Sequence, residues 1–81
     1  MNNISLLSQI IELAQDGEIN DPIDWGMLQV DENSAYLLIA NGLVDLFGYP
    51  DTQREMLILA SLVRTTVENF TLHLKLLGDP T

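Results

Sequence analysis

Cysteine is absent from this 81-residue chain, which excludes disulfides, thiolate metal sites and a cysteine nucleophile and leaves the redox compartment unmarked. Basic residues are scarce. Three Lys and Arg stand against twelve Asp and Glu, a formal net charge of -9, and such a surface repels phosphate backbones and anionic lipid. Neither direct nucleic-acid binding nor membrane attachment is therefore expected. A lone histidine, His73, allows no two-histidine metal site and no histidine relay; on the flank of a helix it reads as a solvated side chain. The five glycines, Gly17, Gly26, Gly42, Gly48 and Gly78, are isolated, so no phosphate-cradling loop is present. Apolar runs are short: Met56 to Val63, broken by Ser61 and stopped by Arg64, falls well below the roughly 20 residues of a membrane span. No basic leader with a small-residue cleavage site opens the chain, and a cytoplasmic location is the expectation.

What is present is apolar and periodic. Hydrophobic residues form 47% of the chain, enough to build one core and too few residues for two, so a single helical domain over 1–81 is expected. Ile4, Leu7, Ile11 and Ala14 recur at helical spacing, widened by Leu6, Ile10 and Leu13. A first helix is predicted from about Ile4 to Asp16, capped by Asn2 or Asn3 and closed by a left-handed Gly17. Asp21, Pro22 and Asp24 suit the N-cap, first and third positions of a short helix from about Pro22 to Leu28. Asp31 reads as the N-cap of a third helix, Glu32 to Phe47, apolar except for a stripe of Ser34, Asn41 and Asp45. Gly42 within it implies close approach of another helix or simple tolerance. Thr52 and Glu55 form a capping box that opens a last helix running to Leu77, before Gly78 and Pro80. At 1.5 Å per residue that helix is roughly 39 Å long, against roughly 20 and 24 Å for the first and third. The fold class expected is all-α: a small bundle of three main helices and one short one, with the long C-terminal helix central.

The last helix carries two apolar stripes. Met56, Ala60, Val63, Val67, Phe70, Leu74 and Leu77 follow an unbroken 4-3 heptad spacing. Ile58, Leu62, Thr65, Asn69, Leu72 and Leu76 follow the same spacing about 200° around the helix. Between them lie Ser61, Arg64, Glu68, Thr71 and Lys75 on one flank, and Glu55, Thr66 and His73 on the other. Three shorter segments have difficulty covering both faces of a longer helix, and an open stripe on a monomer usually marks an association surface. The second stripe is thus predicted to be the interface of a symmetric homodimer, antiparallel or crossed, with Thr65 and Asn69 setting register. The alternative is that the first and third helices sandwich the last within a monomer.

The excess acidity is confined to residues 1–51, which hold nine acids and no Lys or Arg. Six of these, Asp16, Glu18, Asp21, Asp24, Asp31 and Glu32, form a candidate surface for a basic protein partner or, less directly, a phosphate mimic. Helix capping and solubility explain the same residues without a partner. Calcium does not fit: Asp16, Glu18 and Asn20 alternate like an EF-hand loop, but Asp21 stands where glycine is needed and Met27 where a bidentate Glu is needed. Paired carboxylates across a cleft would need more room than a domain of about 80 residues offers. Among the aromatics, Trp25 and Tyr49 lie nearest to loops and are candidates for partly exposed partner contacts. No catalytic residues, metal or cofactor are expected. The function predicted is that of a non-enzymatic, acidic protein-interaction module, or else an assembly subunit acting only through helix association.

Overall fold

A computed structural model describes residues 3–78 of the chain. Three α-helices are packed together: α1 over Asn3–Asp16, α2 over Glu32–Phe47 and α3 over Gln53–Gly78, with a single 3-10 turn at Gly17–Ile19. No strand occurs among the described residues. Each pair of helices is in contact, and α3 touches both of the others.

Helix ends follow local chemistry where that chemistry is uncontested. Asp31 accepts from the Ser34 backbone N–H at 3.0 Å and from its hydroxyl at 2.6 Å, which satisfies a free donor of the first turn of α2. Gly48 ends the helix at φ 83° while its N–H donates to the Val44 carbonyl at 2.8 Å. At the start of α3, Thr52 Oγ1 accepts from the Glu55 N–H at 3.1 Å. The Glu55 carboxylate reaches back one residue further than a standard capping box, to the Asp51 N–H at 2.8 Å. Asn3 is the first residue of α1, while the expected cap at Asn2 and the stop at Pro80 lie outside the described residues.

Two expectations fail between α1 and α2. Gly17 does not take a left-handed conformation. The chain instead tightens into the 3-10 turn, and the Asp21 N–H closes on the Gly17 carbonyl. No helix forms over Pro22–Leu28; this stretch is an irregular connection with one turn, in which Leu28 N–H donates to the Trp25 carbonyl at 3.2 Å. The physical reason is tertiary. Asp21 and Asp24 do not cap a helix because their carboxylates are drawn to cations on α3.

The core lies between the first stripe of α3 and the inner faces of α1 and α2. Ile10, Tyr36, Ala40, Val63 and Val67 are almost wholly buried, joined by Ala14, Val44, Met56, Leu59 and Ala60, with Ile23 contributed by the connection. Small residues at Ala40, Ala60, Val63 and Val67 allow the helices to approach closely. Thr71, expected on a polar flank, is buried among them, its hydroxyl bonded to the Glu68 carbonyl at 2.7 Å. The overall extents are 47 × 26 × 17 Å. α1 and α2 touch each other as well as α3, and the face of α3 turned away from Val63 and Val67 stays exposed, so α1 and α2 do not sandwich α3 between them. Gly42 has no neighbour within 4 Å of where a side chain would begin, so no helix approaches it and its presence is simple tolerance.

Candidate functional site

The outer face of α3 is built by elimination. Once α1 and α2 are laid against Met56, Ala60, Val63 and Val67, the residues about half a turn away have no helix of their own chain laid over them. Ile58 is 60% exposed, Leu62 39%, Leu72 53% and Leu76 76%, and Thr65 and Asn69 between them are exposed as well. All six residues predicted for an association surface therefore lie together on one open face, a continuous strip of about 27 Å along the helix. No Lys, Arg, Asp or Glu stands in that strip from Ile58 to Leu76, on a chain whose net charge is -9. The first stripe is covered as far as Leu74, but Leu77 at its end is exposed, because α3 runs past its neighbours.

At its N-terminal end the strip opens into a groove of about 290 Å³, where Ile58, Leu59 and Leu62 meet the α2–α3 turn at Phe47, Tyr49 and Pro50, with Glu55 as the one charged residue in its lining. Phe47 closes one side and is 68% exposed. Sequence reasoning placed Tyr49 near a partner surface and read Phe47 only as the last residue of the third helix. The signal that could have marked Phe47 was its position in the last turn of α2, next to a glycine, where the neighbouring helix has already turned away.

The six acids proposed as a partner surface are placed differently from one another. Glu18 points inward: its carboxylate accepts from the Ile23 N–H at 3.3 Å, from the Trp25 indole N–H at 3.4 Å and from the Tyr36 hydroxyl. Trp25 and Tyr36 pack beside it with ring centroids 6.4 Å apart. Burial of the Tyr36 phenol, reinforced by its hydrogen bond to Glu18 and the negative charge there, pushes its pKa well above the ordinary tyrosine value. Asp21 pairs with Arg64 at 3.0 Å and Asp24 with Lys75 at 3.2 Å, and both cations also bond the backbone carbonyls of the same aspartates. Arg64 additionally holds Glu68 at 3.4 Å. The flank expected to face water is consequently overlaid by the connection between α1 and α2, which runs along α3 from Arg64 towards Lys75 like a strap.

Gly26 turns that strap at φ 58°, with its N–H bonded to Asp24 Oδ1 at 2.9 Å. A side chain there would also press on the Lys75 stem, 3.3 Å from an added Cβ. Asp31 is occupied as the cap of α2. Asp16 and Glu32 are exposed at the ends of their helices. Four of the six acids thus serve the fold. No group of three His, Asp or Glu side chains converges to hold a metal among the described residues, and no described helix is long and apolar enough to cross a membrane.

Comparison with known proteins adds no family: no family model, curated protein or solved structure matches this chain.

Proposed function

We propose that this chain is a non-enzymatic interaction module whose working surface is the outer face of α3, used to associate with a second copy of itself. The observation that carries this reading is the charge-free exposure of Ile58, Leu62, Leu72 and Leu76 on an otherwise strongly acidic protein. Leaving such a contiguous apolar strip in water is unfavourable at about 25 cal/mol per Å², and pairing two strips removes both. A chain of net charge -9 repels its own copy, so a surface for self-association is favoured where carboxylates are few, and the six strip residues carry none, with Glu55 alone lining the groove at one end. Thr65 and Asn69 would supply the polar contacts that choose one register among several.

The acidic half supports a basic partner less well, because Glu18, Asp21, Asp24 and Asp31 are already engaged within the protein. It does provide solubility. The test is absolute mass by light scattering from low to high salt, with Leu62→Glu and Leu72→Glu beside the unsubstituted chain. A dimer that persists in high salt, where charge effects are screened, and becomes monomeric with either substitution is the expected result. A monomer at all concentrations up to the millimolar range overturns the reading.

A further inference from the structure

We propose that the two copies pair antiparallel, so that the overhanging C-terminal turn of each α3 seats Leu76 in the groove formed by Phe47, Tyr49, Pro50, Ile58 and Leu62 of the other. This rests on the self-association proposed above and specifies its geometry. The outer strip is symmetric about the level of Val67. Ile58 and Leu76 lie nine residues to either side of it, Leu62 and Leu72 five, Thr65 and Asn69 two. Reversing one helix about that point sets Ile58 opposite Leu76 and Leu62 opposite Leu72, and brings Thr65 to Asn69, hydroxyl to amide. Apolar meets apolar and polar meets polar at every level, which is what a two-fold isologous contact requires.

The ends of the strip are complementary in shape as well as in chemistry. One end carries the 290 Å³ groove. The other end is the part of α3 that outruns α1 and α2, and Leu76, 76% exposed, projects there without cover. The two features lie about 27 Å apart on one helix face, and the reversal that matches the strip also brings each projecting leucine to the level of the opposite groove. A parallel pair would match the polar residues too, but it would stack Leu76 on Leu76 and leave both grooves open.

The open area is sufficient for such a pair. Phe47, Ile58, Leu62, Leu72 and Leu76 together leave open about three whole residues of surface, on the order of 600 Å² at roughly 200 Å² each, and the exposed Thr65 and Asn69 add to it. Two copies would bury on the order of 1,200 Å² or more, which reaches the range of a stable interface.

Because the chain contains no cysteine, introduced thiols report the geometry without ambiguity. Ile58→Cys and Leu76→Cys chains would be prepared separately, oxidised alone and as an equimolar mixture, and their cross-linked mass measured beside the light scattering. Antiparallel pairing predicts a covalent dimer in the mixture and none from either chain alone. A covalent dimer from Leu76→Cys alone, or a non-covalent dimer that yields no cross-link in the mixture, overturns this geometry while self-association stands; a monomeric protein overturns both. Phe47→Asp isolates the groove, since Phe47 is exposed and lies outside the α3 strip. Its expected effect is a dimer dissociation constant raised at least tenfold with helical content unchanged, and an unchanged constant overturns the seating of Leu76 there.

Discussion

The two faces of α3 share one spacing, but the inner is apolar at every position while the outer is interrupted by Thr65 and Asn69, and only the inner is covered. The difference is in bulk and in partners. The inner face places Ala60, Val63 and Val67 at its centre, and these small or β-branched residues let α1 and α2 approach until Val63 and Val67 lose all exposure. The outer face sets leucine and isoleucine around a polar centre at Thr65 and Asn69, which no element of the same chain approaches. Heptad periodicity therefore identifies faces that can pack, and residue size together with the supply of other helices decides which face does.

The sharpest way to break this contrast is a charge on either side. Val67→Asp would leave a carboxylate unpaired in the core and is expected to cost several kcal/mol, enough to unfold so small a domain, seen as loss of the helical circular dichroism signal. Leu72→Asp on the opposite face should keep that signal in full. The same contrast runs through the acids. Glu18→Ala strips the acceptor from three donors and should lower stability by about 2–3 kcal/mol in urea unfolding, whereas Asp16→Ala should stay within about 0.5 kcal/mol.

Alkaline pH sharpens the contrast at Tyr36. Its phenol keeps its proton in the folded state to a higher pH than in the unfolded chain, so the folded protein holds more protons once the unfolded tyrosine ionises. Stability is then fully present below about pH 10 and falls above it, by up to about 1.4 kcal/mol per pH unit. Tyr36→Phe should remove that part of the decline in denaturation midpoints measured from pH 8 to 11. Asp31→Ala should cost about 1 kcal/mol through loss of the α2 cap. Gly42→Ala, on the exposed side of α2 with nothing nearby, should instead raise the melting temperature by the equivalent of about 1 kcal/mol or slightly less.

The helices were legible because their signals are local. Asp31 lies three residues from the Ser34 N–H it caps, and Thr52 three from Glu55, so spacing alone predicts both starts. The openness of the Ile58–Leu76 strip was legible from helix lengths, since shorter helices cannot wrap a longer one. The strap was not. Asp21-Pro22-Ile23-Asp24 has the residues of a helix start, and what overrides them is Arg64 and Lys75, 43 and 51 residues away along the chain. Glu18 was misread as surface charge for the same reason: Tyr36, 18 residues on, gives it an interior role that no local pattern announces.

The position of Trp25 has a practical consequence. It is the only tryptophan, it sits in the strap, and its indole N–H is held by the same carboxylate that receives the Tyr36 hydroxyl. Its fluorescence should therefore respond to release of the strap, while far-ultraviolet ellipticity follows the three helices. If the two signals separate along a denaturant titration, the strap detaches before the bundle melts; if they coincide, strap and bundle form one cooperative unit.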